Sequence, residues 1–217
     1  MTTTTTSTTS TSLIETTTTT ASTTTTTLAP ATANLNMGWN LLGNSSTGSL
    51  DVAVSFGDAS KVSTVWKWIA NSAKWAFYAP SLVGQALTDY ATSKGYDVLA
   101  AITGGEGFWV NAKQATSVAL PSGTPVTIAA LSPTLIKGWN LSSIGETATP
   151  KQFCDAQTSG VTTLWAWDAA QSAWYFYAPS LDASSGLSTY IASKGYLDFT
   201  TANMALGQGV GFWLNKP

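Results

Sequence analysis

The sequence contains no histidine and no arginine, and its only cysteine is Cys154. A single cysteine forms no disulfide within the chain, and metal sites built on histidine or clustered cysteine are excluded. Nine lysines and eleven carboxylates give a formal net charge of -2, without a block of one sign. We expect no nucleic-acid binding, because a phosphate backbone needs a basic surface. We also expect no metal and no cofactor, and Cys154 is predicted to be a small buried residue.

Long apolar runs are also missing, so no membrane span is predicted. Neither a basic region nor a hydrophobic segment follows Met1, and no signal peptide is visible in this chain. The first 27 residues instead contain 18 Thr and 4 Ser. Such a tract has almost nothing apolar to bury, and we predict that residues 1–30 are a disordered stalk or linker.

The rest of the chain is a tandem duplication. Motifs of the first half return in the second half after roughly 100 residues, a spacing that indicates a domain-sized unit and not a short solenoid repeat. The predicted units are residues 31–116 and 117–217. The repeated segments are Gly38-Trp39-Asn40-Leu41 with Gly138-Trp139-Asn140-Leu141, Phe77-Tyr78-Ala79-Pro80 with Phe176-Tyr177-Ala178-Pro179, and Gly107-Phe108-Trp109-Val110-Asn111 with Gly211-Phe212-Trp213-Leu214-Asn215.

Each unit is predicted to run in the order strand, short helix, hairpin, helix, strand. A helix is expected over residues 85–94, with Gly95 just after its end, and Thr149 is a suitable N-cap for another helix. Residues 117–120 and 126–128 are predicted to be two further strands. The fold class is therefore α+β: two tandem modules, each with a mainly antiparallel sheet, an aromatic hairpin and one or two short helices.

The hairpin carries most of the aromatic residues. Pairing centred on the turn at Asn71 sets Trp68 opposite Trp75, and Trp66 opposite Phe77. Since side chains alternate along a strand, these four rings share one face, and Lys67, Ala76 and Tyr78 lie on the other. The second copy has the same register, with Trp167 opposite Trp174 and Trp165 opposite Phe176.

Ten tryptophans admit two interpretations. They could form a core, since each large ring buries on the order of 150–250 Å², or they could form a flat platform that stacks on sugar rings. Trp39 and Trp109 are predicted to be core residues. The core interpretation also leads for the hairpin, because it leaves Lys67 on the wet side. If the platform is correct, the candidate ligand-binding residues are Trp66, Trp68, Trp75, Tyr78, Trp165, Trp167, Trp174 and Tyr177.

No catalytic residue is predicted. Glycoside hydrolysis needs a pair of carboxylates, yet Glu106 has Gln208 as its counterpart and hardly any acid is kept in both copies. Asp97 and Asp198 come closest, and both follow a tyrosine in a predicted loop. An enzyme is therefore not expected.

The Gly-Trp-Asn-Leu opening, the Trp-rich hairpin and the closing Gly-x-Gly-Phe-Trp segment resemble a repeated module of bacterial secreted and cell-surface proteins. The resemblance spans roughly 180 residues and implies a non-catalytic accessory domain in an extracellular or cell-surface setting. It transfers no functional residues. We expect a binding or adhesion module whose partner is a glycan or another cell-surface polymer. The alternatives are a structural spacer or fibre subunit and, less favoured, a fragment of a glycoside-active enzyme.

Overall fold

The computed structural model describes residues 27–217, so nearly all of the segment predicted to be disordered lies outside the described residues. The fold is α+β, as predicted, with mainly antiparallel sheets and short helices. Among residues 27–217, no helix has the length and hydropathy needed to cross a membrane.

The first repeat contains most of the strands. Its elements, in chain order, are β1 (Ala31–Leu35), β2 (Gly38–Gly43), β3 (Leu50–Asp51), α1 (Val52–Phe56), β4 (Val62–Ile69), β5 (Lys74–Tyr78), α2 (Gln85–Lys94), β6 (Asp97–Val98), β7 (Ala101–Ile102), β8 (Gly107–Ala112) and β9 (Thr116–Leu120).

The second repeat follows with the same plan and more helix. Its elements are α3 (Ile128–Leu131), β10 (Gly138–Ser143), α4 (Pro150–Asp155), β11 (Thr163–Asp168), β12 (Ala173–Tyr177), α5 (Pro179–Ala183), α6 (Leu187–Lys194) and β13 (Gly211–Lys216). Short 3-10 turns cover Ala70–Ser72 and Ser132–Thr134.

Each repeat has its own main sheet. The strand order is β2-β8-β4-β5-β6 in the first and β10-β13-β11-β12 in the second. All pairs are antiparallel except β5 with β6. In the second sheet a single parallel bridge from Leu197 to Tyr175 stands where β6 stands in the first. The duplication seen in the sequence is thus a duplication of topology.

One predicted strand pair is wrong. β9 forms as expected, but it pairs with β1, from Ala31 opposite Leu120 to Leu35 opposite Thr116. The predicted strand at 126–128 does not form. Ile128 begins α3, because the Thr127 side chain accepts a hydrogen bond from the Ala130 N–H and caps that helix. β9 therefore packs with the first repeat, and we call residues 31–120 the first module and residues 126–217 the second module.

The predicted helices agree with the structure. α2 spans Gln85–Lys94 and ends at Gly95, whose φ of 73° is left-handed, and α6 ends in the same way at Gly195. Thr149 caps α4 in a reciprocal capping box with Gln152. These ends follow local rules that both copies share, which is why the sequence predicts them.

Each module has one large cluster of buried residues, its main core, and one smaller cluster in which α2 or α6 packs on the other face of the hairpin. No tryptophan belongs to either main core, while Trp66 and Trp165 pack against the smaller clusters. Phe56 packs edge-on against Phe108 in the first core, as Phe153 does against Phe212 in the second. The interpretation of the tryptophans as the main core of each unit is therefore wrong.

The hairpin register is confirmed, but its orientation is the reverse of the favoured prediction. Trp66 lies opposite Phe77 and Trp68 opposite Trp75. The face with Val65 and Ala76 packs on the first core, so Lys67 lies on the inner side. Its ammonium is 3.0 Å from the Glu106 carboxylate, and its side chain is only 15% exposed. This ion pair gives the inward-facing lysine a partner. On the opposite face, Phe77 and Trp66 pack against α2 in a smaller cluster of the first module, and Trp68 and Trp75 lie outside the buried clusters.

The two modules meet through reciprocal contacts. The Gly43 N–H donates to the Gly209 carbonyl at 3.0 Å, and the Ser143 N–H donates to the Gly105 carbonyl at 2.9 Å. Gly43 and Ser143 are equivalent positions in the two copies, as are Gly105 and Gly209. An interface in which each copy gives the other the same contact is organised around a twofold axis. The chain therefore contains its own pseudo-dimer.

Candidate functional site: a tryptophan-lined interface between the modules

The tryptophans lie between the modules in two rows, each built from both modules. The first indole row places the hairpin indoles of the first module against two indoles of the second module. Its ring centroids are 5.8 Å apart for Trp75 and Trp213 and 6.1 Å apart for Trp68 and Trp213. The complete row is Trp139, Trp213, Trp68, Trp75 and Trp66.

The second indole row is the pseudo-twofold image of the first. Trp109 of the first module lies 6.0 Å from Trp167 and 5.6 Å from Trp174 of the second. The complete row is Trp39, Trp109, Trp167, Trp174 and Trp165. Most contacts are edge-to-face, the geometry that aromatic quadrupoles favour. All ten indoles thus belong to two rows of five, each of which both modules share.

Trp39 and Trp139 are held in place by a turn that the Gly-Trp-Asn motif builds. Asn40 accepts a hydrogen bond from the Asn36 N–H at 2.8 Å and donates to the carbonyls of Asn36 and Gly38. Gly38 has a φ of 94°, which suits glycine. The amide is buried, so the indole between glycine and asparagine is turned outward and is 44% exposed. The prediction that Trp39 is a core residue is wrong.

Asn140 repeats this turn in the second module. It accepts from the Ile136 N–H at 3.0 Å and donates to the carbonyls of Ile136 and Gly138. Trp139 is 45% exposed, almost the same as its counterpart. The turn explains why glycine, tryptophan and asparagine are repeated together.

Strand alternation positions Trp109 and Trp213. Phe108 and Val110 point into the first core and are fully buried, so Trp109 between them points to the opposite face of β8 and is only partly buried. Phe212, Trp213 and Leu214 repeat the pattern in β13. Trp109 is therefore at the module interface and not in the core, contrary to prediction.

Two indole N–H groups join the modules. Trp68 donates to the backbone carbonyl of Trp139, and Trp167 donates to that of Trp39, both at 2.9 Å. The indole nitrogens of Trp66 and Trp165, in contrast, are buried without a hydrogen-bond partner. Ring packing holds these two indoles. The ring centroids are 5.0 Å apart for Trp66 and Tyr96 and 5.1 Å apart for Trp165 and Tyr196, and both pairs are edge-to-face.

Two open grooves run between the indole rows. Groove A has a volume of about 540 Å³ and is lined by Trp68, Trp75, Trp139, Trp165, Trp174, Tyr196 and Trp213. Groove B has a volume of about 360 Å³ and is lined by Trp39, Trp66, Trp75, Trp109, Trp167 and Trp174. Both volumes lie within the range of about 300–1,000 Å³ typical of small-molecule sites. Among these lining residues there is no charged side chain.

Six of the eight predicted ligand-binding residues meet at the grooves, namely the tryptophans. Tyr78 and Tyr177 do not, because they lie on the opposite hairpin faces and pack against the module cores. The Tyr177 hydroxyl donates to Asp182 at 2.8 Å, and burial together with this bond raises the pKa of Tyr177. The groove residues that the sequence did not assign to the site are Trp39, Trp109, Trp139, Trp213 and Tyr196.

Other reactive groups lie away from the grooves. Cys154 is buried in the second core, and burial raises the pKa of its thiol to about 12. Asp198 accepts hydrogen bonds from Thr200 and Thr201 within its own turn. Residues 27–217 contain no group of three or more His, Cys, Asp or Glu that could hold a metal ion.

Comparison with protein-family models, with curated protein sequences and with solved structures found no match for this chain.

Proposed function

We propose that this protein is a non-catalytic binding module, displayed outside the cell, and that its tryptophan grooves take carbohydrate. The observation that carries the proposal is a pair of open, uncharged grooves with indole walls. The C–H faces of a pyranose ring are apolar and flat, and they pack on aromatic faces as other apolar surfaces do. Eight of the ten indoles lie outside the buried clusters of both modules, and this favours a binding role for the surface that they form.

The extracellular setting is proposed from the sequence. The Thr-rich segment is typical of surface stalks, and the resemblance to secreted and cell-surface modules points the same way. The absence of Asp and Glu from the residues that line the two grooves supports a binding role without catalysis.

A glycan array combined with quenching of tryptophan fluorescence tests the proposal. Trp39→Ala and Trp139→Ala are the most suitable variants, because these indoles are the most exposed ones and their backbone carbonyls remain as hydrogen-bond acceptors. We expect each variant to bind about tenfold more weakly, which corresponds to about 1.4 kcal/mol. Tyr90→Ala is the matched control, an exposed aromatic outside both grooves, and should bind as the wild type does.

The second candidate function is a structural spacer, and the indole contacts between the modules favour it. Trp68 and Trp167 hold the two modules together by hydrogen bonds, so the cluster has a structural role whether or not a ligand binds. If no glycan on the array binds and the Trp39→Ala and Trp139→Ala variants only unfold more easily, the spacer function replaces the binding function.

A further inference from the structure

The two grooves are parts of one surface. Trp75 of the first module and Trp174 of the second line both of them. Groove A and groove B therefore lie on either side of this pair of rings, and we call the whole surface the furrow. Groove A is lined by four indoles of the first row and two of the second, and groove B by four of the second and two of the first. We therefore expect a sugar ring in the furrow to contact indoles of both rows.

The uncharged lining of the furrow disfavours charged ligands. None of the lining residues carries a charge, so a carboxylate or a sulfate in the furrow would lose water and find no opposite charge. A neutral sugar has hydroxyls that can stay hydrated at the open side of the furrow. Neutral sugars are thus favoured over uronic acids and sulfated sugars.

The two walls also select for ring shape. A pyranose with all its substituents equatorial has axial C–H groups on both faces, so both faces are apolar. A sugar with an axial hydroxyl puts a polar group on one of its faces, and that face would lose hydration against an indole. Contact with two indole walls therefore fits a ring of the first type, such as β-linked glucose.

From these features we infer that the furrow binds a single strand of a neutral, β-linked polysaccharide with equatorial substituents, and that the same strand occupies both grooves. The inference rests on the carbohydrate-binding function proposed above and names its ligand class and its stoichiometry. The pseudo-twofold relation makes the two grooves meet a directional strand in opposite senses. Stacking on a ring face does not depend on strand direction, so this difference does not prevent binding.

Calorimetric titration of the full chain with β-1,4-linked glucose oligomers, from the disaccharide to the octasaccharide, tests the inference. We expect two short oligomers to bind per chain but only one long oligomer, with an affinity at least a hundredfold higher because the second groove is filled within the same complex. β-1,4-linked glucuronic acid oligomers of the same lengths are the charged control and should bind at least tenfold more weakly.

Variants at the two ends separate the grooves. Trp39→Ala changes only groove B and Trp139→Ala changes only groove A, and both should reduce the octasaccharide affinity toward the value of short oligomers. Trp174→Ala removes a wall of both grooves and should weaken binding most. Trp174 also packs against Trp109 of the other module. The unfolding curve of the Trp174→Ala variant is therefore measured as well, to separate a loss of binding from a loss of stability.

The possible failures are distinguishable. Two oligomers per chain at every length, with a constant affinity, would overturn the single-strand inference and leave carbohydrate binding in place. Binding of a different glycan on the array, without binding of these oligomers, would overturn the ligand class. If no glycan binds at all, the proposed function itself is overturned.

Discussion

At the scale of single residues, the differences between the copies explain more than the identities do. Lys67 and Glu106 form an ion pair in the first module, and the equivalent residues of the second module are Ala166 and Val210. The predicted match of Glu106 with Gln208 is wrong, because the bridge of Glu106 to Ser142 has its repeat in the bridge of Val210 to Leu42. The two positions changed together, since either charge alone at this half-buried place would lack its partner. Ala166, the counterpart of Lys67, is buried in the second core, so this position of the hairpin faces the core in both copies.

Removing the charges of this pair in the first copy tests the coupling. Glu106→Gln alone leaves a lysine ammonium half-buried without its carboxylate and should lower the free energy of unfolding by about 1–3 kcal/mol. The double variant Lys67→Ala with Glu106→Gln should recover most of that loss. Urea unfolding of the wild type and the two variants measures these free energies. Equal stability of the wild type and Glu106→Gln would show that the ion pair does not stabilise the fold.

Cys154 offers a second residue-scale prediction. Burial raises the pKa of its thiol from 9.0 to about 12, so the folded state favours the neutral thiol. The unfolded chain ionises first as the pH rises, and the stabilising effect of burial is lost between about pH 9 and 12. Alkylation by iodoacetamide at pH 8 should be about a hundredfold slower in the native protein than in urea.

Cys154→Ala is the control for the pH effect. The loss of stability of the wild type relative to this variant should grow through that pH range, because only the wild type has the thiol. Equal alkylation rates in the native and the unfolded protein would contradict the burial of Cys154.

At the scale of elements, local rules explain the hairpin register and the helix ends. The N-cap of α4 and the left-handed glycines after α2 and α6 follow from residues next to one another in the chain. The orientation of the hairpin does not, because both of its faces are covered. The main core of the module covers one face, and α2 together with the other module covers the tryptophan face. The sequence suggested that Lys67 marks the wet face, and the distant Glu106 makes that suggestion wrong.

The turn before each first strand is an element-scale prediction. Asn40→Ala and Asn140→Ala each remove three hydrogen bonds from a buried turn and leave backbone groups without partners. Each variant should lose about 1–3 kcal/mol of unfolding free energy. The two losses should be similar because the geometry is repeated. Asn34→Ala, at an exposed position of β1, should change stability little, and an equal loss there would contradict the role of the turn.

At the scale of the whole molecule, the pairing of the two modules is the feature that the sequence could not predict. The duplication, the fold class and the aromatic pairs of the hairpin follow from motifs within each copy. The interface joins residues far apart, with 71 residues separating Trp68 from Trp139 and 128 separating Trp39 from Trp167. No pattern within one copy indicates that its indoles face the other copy, and their number suggested a core instead.

The modules fit each other through small residues that differ between the copies. A Cβ at Gly43 would lie 2.1 Å from the Oγ of Ser143. Ser143 is the residue of the second copy that is equivalent to Gly43. A Cβ at Gly145 would lie 2.3 Å from the carbonyl of Ser45, which is the counterpart of Gly145. In each pair of equivalent positions, one module has serine and the other has glycine, and there is no room for a side chain at the glycine. The surface of one module therefore fits the other module and would not fit a second copy of itself.

Gly43→Ser should therefore destabilise the protein by about 2 kcal/mol or more, the cost of overpacking a tight contact. Adding Ser143→Gly should recover only part of the loss, because the Val210 carbonyl is also 2.5 Å from the new Cβ. Gly186→Ser is the control, since a Cβ there meets only atoms at ordinary distances of 3.5 Å or more. Thermal unfolding measures all of them, and a Gly43→Ser variant as stable as the control would contradict close pairing.

The most direct test of the shared tryptophan furrow is an NMR titration of the ten indole N–H signals with the β-1,4-linked glucose octasaccharide. We expect the signals of Trp75 and Trp174 to shift together with those of Trp39 and Trp139, all saturating at one oligomer per chain. Indole signals that stay unchanged while the oligomer binds elsewhere would contradict the furrow as the binding site, and unchanged signals with no binding of any glycan would contradict carbohydrate binding altogether.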